Sequence, residues 1–168
     1  MPPRSVTRSD WLRRTDKEIS ARPQIDEIIR GSLVCHVALA KDNAPYVVPM
    51  SFGYDGQAIY LHTALAGKKI QYGEANPQVC FEFERNVELR RDPRSPCHWS
   101  FSFESVIGYG TISEVVQPSE KARALNEIMR QYSGRIWPFE EASMAKVRVW
   151  KIAIASVTGK QSKPKTAV

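Results

Sequence analysis

Apolar residues recur along this chain with two spacings, and the two rarely overlap. Alternation, which puts every second side chain on one buried face, runs through residues 33–40, 46–54, 57–62, 79–84, 99–115 and 146–157. It predicts about six strands. Spacings of three and four mark helices. Ile25, Ile28 and Ile29 lie between Pro23 and Gly31, and Ala122, Leu125, Met129 and Tyr132 lie between Pro118 and Gly134. Proline suits a first helical turn and glycine a stop. A short helix is expected over residues 67–75, ended by Asn76-Pro77, and a helical turn is expected after Asp16.

The connections set the fold class. Lys41-Asp-Asn-Ala44 and Asp55-Gly56 read as tight turns. Residues 86–98, rich in arginine and proline, read as a surface loop. Gly108 and Gly110 interrupt a strand, which predicts a bulge or a sharp bend. Pro49 withholds a ladder donor, which predicts an edge, a bulge, or backbone left open to a ligand. Hairpins outnumber strand–helix–strand units. The expected fold is therefore mainly β, an antiparallel barrel with peripheral helices, rather than a doubly wound parallel sheet.

A chain of 168 residues suits one domain. Residues 16–160 are assigned to it, with a flexible basic segment before (1–15) and a disordered tail after (161–168). The net charge of +6 suggests nucleic acid until it is located. Arg4, Arg8, Arg13 and Arg14 against Asp10 leave +3 in the first segment, and Lys160, Lys163 and Lys165 add +3 at the other end, so the body between is neutral. Basic ends on a neutral body read as solvated tails, so no nucleic-acid partner is expected. Cys35, Cys80 and Cys97 have neither the parity of a disulfide framework nor the spacing of a zinc site. No apolar stretch is long enough for a membrane helix and no signal-peptide core is evident. A cytoplasmic setting without a membrane partner is the expectation.

One segment carries most of the chemistry. Tyr60-Leu-His-Thr-Ala64 leads through Gly67 into Lys68-Lys69, a strand end followed by a glycine-softened turn and a lysine-rich helix start. Unpaired N–H groups and the helix dipole favour an anion there, and Thr63, Lys68 and Lys69 can add donors. A phosphate is the expected guest. His62 beside it can donate a hydrogen bond or exchange a proton near neutral pH. The adjacent pairs Cys35-His36 and Cys97-His98 are weak metal candidates, since the first lies on a strand, where neighbours point to opposite faces, and the second lies at a loop end. Ser51, Ser100, Ser102 and Ser105 lack a nucleophile-elbow context. Trp99, Phe101 and Phe103 alternate along one face, which favours core or interface packing over stacking on a bound ring. No catalytic side chain stands out, so a bound phosphorylated cofactor is expected to supply the chemistry.

Several motifs occur in a familiar order: Arg14-Thr-Asp16-Lys-Glu-Ile19, Pro45-Tyr-Val-Val-Pro-Met-Ser-Phe-Gly-Tyr54, Tyr60-Leu-His-Thr-Ala64 with Gly67-Lys-Lys69, Ser105-Val-Ile-Gly-Tyr-Gly110, and Thr158-Gly-Lys160. Together they resemble the nitroimidazole-resistance (Nim) branch of the pyridoxamine 5'-phosphate oxidase-like, FMN-binding split-barrel proteins. The resemblance implies a six-stranded split β-barrel, a homodimer, and an FMN in each of two interface grooves. It places the phosphate at Thr63, Lys68 and Lys69, with His62 and Ala64 beside them. It places the isoalloxazine along Val48, Pro49, Met50 and Ser51. It further implies an oxidoreductase of the nitroreductase type acting on a small-molecule substrate. A flavin-binding or sensing module without turnover would share these residues; the other alternative is a split barrel using deazaflavin or haem, the latter needing an axial ligand from His36, His62 or His98. Glu104 departs from the pattern, because relatives commonly carry arginine there.

Overall fold

The computed structural model describes residues 15–162. Apart from Thr15, the expected N-terminal segment lies outside these residues, as does 163–168 of the expected tail. A 3-10 turn (Thr15–Lys17) leads into β1 (Glu18–Ile19), α1 (Arg22–Gly31), β2 (Cys35–Lys41) and β3 (Ala44–Met50). Then come β4 (Gly53–Tyr54), β5 (Ala58–Thr63), α2 (Lys68–Ala75), β6 (Gln78–Arg90) and β7 (Ser100–Glu114). The last elements are α3 (Pro118–Ser133), α4 (Glu141–Met144) and β8 (Arg148–Ser162).

The strands form one sheet in the order β3-β2-β6-β7-β8-β5-β4, with β1 on β8. All of the pairings are antiparallel. The path begins at β3 and ends at β4, yet only Ser51 and Phe52 separate these strands in the chain. The sheet must therefore curl until its two ends meet, which makes it a split barrel. Phe52, Phe81, Phe83, Ile59, Leu61, Val37, Val106 and Ile152 fill the interior.

Helices close the ends. Ile25, Ile28 and Ile29 of α1 enter the core as their spacing predicts. Arg85 of β6 ties this helix down by donating to the Glu27 carbonyl and carboxylate and to Glu104 on β7. At the other end Ile70 and Gly73 of α2 are buried, Gly73 beside Leu39 and Ile112. The third helix lies outside the wall, covering Ala58 and Tyr60 of β5 with Ala124, Leu125 and Ile128. Gly53 permits that contact, since a Cβ there would sit 2.4 Å from backbone atoms of Glu127 and Ile128.

The structure corrects several expectations. Among the described residues eight strands replace six, because the 46–54 run breaks at Ser51-Phe52 and the short β1 pairs after Asp16 where a helical turn was expected. Residues 86–90 are strand rather than loop. They pair with the start of the next strand, β7, as Arg90 opposite Ser100 shows, and a bulge between Arg85 and Glu88 interrupts their alternation. β8 continues through Ser162, two residues into the expected tail. The buried stripe of α3 is Ala124, Leu125 and Ile128, while Tyr132 is exposed. The expected turn at Asp42 and Asn43 has φ values of 50° and 61°, as a two-residue hairpin requires. The expected irregularity at the glycines is a register shift between Tyr109 and Gly110.

Candidate functional site

The end of β5 and the start of α2 build the site. Ile59, Leu61 and Thr63 face the barrel interior and are buried, while His62, on the opposite parity, is exposed. Gly67 has φ 145°, and a Cβ there would touch nothing, so glycine is needed for the dihedral and not for space. Its carbonyl accepts the Ile70 and Gln71 N–H groups at 3.1 and 3.2 Å. No side chain caps this helix and its first turn holds no acid, so the Lys68 and Lys69 N–H groups have no intrahelical acceptor. Two ammonium groups also stand where the dipole disfavours cations. Both features fit an anion.

The two lysines diverge. Lys68 Nζ lies 4.7 Å from the Tyr46 ring centroid and 5.4 Å from that of Tyr72. Those rings, on β3 and α2, are 5.3 Å apart. Lys69 instead joins Met50, Thr63 and Trp150 around a small apolar void of about 10 Å³. Partial burial, and then the Lys69 charge, push the His62 pKa below its usual value. Met50, His62, Thr63 and Lys69 thus form one neighbourhood, and Tyr46 ties it to β3.

Thr63 is held from both sides. Its hydroxyl donates to the Ala64 carbonyl at 2.8 Å and accepts the Trp150 indole N–H at 3.1 Å. A hydroxyl has a single donor, so in this arrangement Thr63 shapes the turn from beneath. Ala64 is exposed just beyond it. Arg148, opposite Thr63 in the ladder, stacks 4.7 Å over Trp150 and pairs with Glu74 at 2.7 Å and with Glu114. This bracing ion pair had no sequence signal, because its members come from α2, β7 and β8.

On β3, Val48 and Met50 turn inward, while Val47 and Pro49 turn outward. Among the described residues the strand bonds only to β2. Pro45 and Pro49 share a parity, opposite Ala40 and His36, so their missing donors cost the ladder least if that parity faces the open edge. Val47, between them, then offers its N–H and carbonyl to that edge. Ser51 follows, exposed, at the joint with β4.

Other candidates lie elsewhere. His36 is on the outer face, 3.0 Å from Glu82, whereas its neighbour Cys35 is buried. His98 and Cys97 sit in an exposed turn. Phe101 is half exposed and Trp99 nearly so, so neither is core. Glu104 pairs with Arg85 and Asn86, both at 2.8 Å. It precedes Glu114 by ten residues on β7, roughly 30 Å along the strand from the lysine turn. Larger grooves of about 460 and 330 Å³ lie away from these residues, the first beside Arg30 and Arg130, the second beside Arg22 and Ser156.

Comparison with known proteins agrees with this architecture. A family model described as pyridoxamine 5'-phosphate oxidase matches residues 21–161. A proposed 5-nitroimidazole antibiotic resistance protein from Bacteroides thetaiotaomicron is 32% identical, with a TM-score of 0.76 over 85% of each chain. A flavocytochrome from Azotobacter vinelandii is 21% identical with a TM-score of 0.75, covering 95% of this chain and 73% of that one. An FAD-binding protein from Mesorhizobium loti is 22% identical with a TM-score of 0.65, covering 88% and 98%. The last two show shared fold alone. An uncharacterised protein of Rhizobium meliloti is 22% identical over 73 residues, and the match spans about half of that protein, 48%. The family match across nearly the whole described region, joined to a 32% identical structure of the same fold, places this chain in the pyridoxamine 5'-phosphate oxidase-like family, close to its nitroimidazole-resistance branch.

Proposed function

We propose that this protein binds FMN as a homodimer and acts as a flavin-dependent oxidoreductase on a small molecule. The observation that carries the reading is the uncapped, lysine-bearing start of α2 set beside the open edge of β3. The residues present fit a phosphate monoester. The Lys68 and Lys69 N–H groups and the Lys69 ammonium would hold the phosphate, with Thr63 and Ala64 fixing the turn. His62 stands close enough to feel the Lys69 charge and would flank the same group. The edge groups around Val48, Pro49, Met50 and Ser51 would orient the ring. A bound flavin supplies hydride and single-electron transfer, and the protein supplies position and electrostatics. The family's description and the flavoproteins of like fold support a flavin, and the resistance protein from Bacteroides supports a nitroaromatic substrate.

Size and surface support the dimer. The void at Lys69 is far below the roughly 300–1,000 Å³ of a ligand pocket, so a nucleotide would lie outside it against a second wall. The outer face of the sheet offers one. Val47 on β3 is 64% exposed, and on β7, further across the sheet past β2 and β6, Phe101 is 50%, Ile107 42% and Tyr109 40% exposed. A second copy burying this face would complete the groove.

The test is a titration of purified protein with FMN and with riboflavin, which lacks the phosphate. Wild-type protein should bind FMN more tightly and run as a dimer by light scattering. The double variant Lys68→Ala with Lys69→Ala should lose about 2–4 kcal/mol of FMN affinity and leave riboflavin affinity unchanged. Unaltered FMN binding removes the phosphate assignment, and a monomer that holds FMN tightly removes the shared groove.

A further inference from the structure

The C-terminal turn of α3 is stitched to two distant points of the chain. The Tyr132 hydroxyl accepts the Phe52 N–H at 3.1 Å and donates to the Leu33 carbonyl at 2.9 Å. Its ring meets that of Phe52 edge to face at 6.2 Å. Burial raises the pKa of this phenol, and the Phe52 N–H opposes the rise. Next to it, Gln131 Nε2 donates to the Arg30 and Ser32 carbonyls at 2.8 and 3.1 Å. One helix end therefore holds the turn after α1 through Gln131, and the joint between β3 and β4 through Tyr132.

That joint is where the barrel splits. The sheet path ends on each side of it, and Ser51 and Phe52 lie outside both strands. No ladder bond to a neighbouring strand fixes the Phe52 amide, so the Tyr132 hydroxyl does. Phe52 itself is fully buried and packs on Phe83 at 4.8 Å, which anchors its side chain but leaves the peptide plane to the hydrogen bond. The residue before it, Ser51, is exposed at the end of the open β3 edge.

We infer that Tyr132 is a positioning residue for the cofactor. Its hydroxyl sets the Ser51–Phe52 peptide and, through it, the polar groups that meet the flavin ring. The inference rests on the flavin reading above and adds a residue from α3, a helix packed on β4 and β5. The phenol acts through Ser51 and Phe52 and need not touch the ring.

The experiment compares Tyr132→Phe with Gln131→Ala. The first removes one hydroxyl and keeps the aromatic packing. The second loosens the same helix end without touching the β3–β4 joint. Tyr132→Phe should weaken FMN binding about tenfold, weaken riboflavin binding by the same factor because the ring and not the phosphate is affected, and shift the visible absorption and reduction potential of the bound flavin. Gln131→Ala should lower the melting temperature comparably and leave flavin affinity, spectrum and potential as in wild type. A Tyr132→Phe protein with wild-type affinity and spectrum overturns the inference, as does a matching change in Gln131→Ala. If Tyr132→Phe does not fold, hydrogen exchange on wild-type protein decides: the Phe52 amide should be protected without flavin, and free exchange there overturns the proposal. Wild-type protein that binds neither FMN nor riboflavin refutes the flavin reading itself and the inference with it.

Discussion

On the β4–β5 side of the barrel both faces of the wall are buried, while on the β2–β6–β7 side only the inner one is. Ala58 and Tyr60 of β5 lie under α3, and Ile59 and Leu61 lie inside. On β7, Ile107 and Tyr109 point outward uncovered, and the positions facing inward between and beyond them are Gly108 and Gly110. The large residues of that stretch are outside because the inside is already full. A Cβ on Gly108 would lie 2.2 Å from the Phe81 ring, and one on Gly110 would lie 2.5 Å from the Ala153 carbonyl. Apolar alternation therefore reports that a strand has two unlike faces without reporting which one is the core. The outward apolar row next to the inward glycines is what makes this the face proposed for a second copy.

The covered side should be the more fragile. Gly53→Ala sets a methyl against the backbone of α3, which cannot yield without lifting the helix from β4 and β5. A loss of about 3 kcal/mol is expected, read as a lower midpoint in urea. A variant as stable as wild type would mean that α3 is not seated on this strand. Ile107→Lys on the bare side should behave in the opposite way. The side chain is already 42% exposed, so the monomer should change by about 0.5 kcal/mol or less. Dimer dissociation, measured by sedimentation across a dilution series, should rise about tenfold or more. An unchanged dimer would place the interface elsewhere and would leave the bare face unexplained.

Local signals in the sequence located what local physics decides. The isoleucine face of α1, the Asp55-Gly56 turn, the Pro118 and Gly134 limits of α3 and the turn before Lys68 were all legible, because each depends on residues within a few positions of one another. Residues 86–90 were not, since their strand conformation comes from pairing with β7 across a bulge. The bracing of Thr63 by Trp150 and Arg148 was equally hidden, because the register of β5 against β8 is set by the whole barrel. Tyr132 fell on an apparent apolar stripe, yet its hydroxyl does the tethering while its ring stays half exposed. Glu104, where the resemblance led one to expect arginine, is paired with Arg85 and Asn86, remote from the lysine turn.

His62 marks the border between the two sides, and its titration is the finest test of the contrast. It continues the outward parity of Ala58 and Tyr60 past the cover of α3. Partial burial, and then Lys69, lower its pKa in the folded protein. The folded state thus binds fewer protons than the unfolded state in that range. The associated stability is complete above the ordinary histidine value of about 6.5 and is lost as the pH falls below it through the lowered folded value. Melting temperatures between pH 8 and 5 should therefore decline toward acid, and His62→Gln should flatten part of that decline. An anion seated on Lys69 would oppose the charge that disfavours the imidazolium, so FMN should move the His62 titration upward in pH. Histidine NMR signals followed with and without FMN measure this shift, and identical titrations would separate His62 and Lys69 from the phosphate.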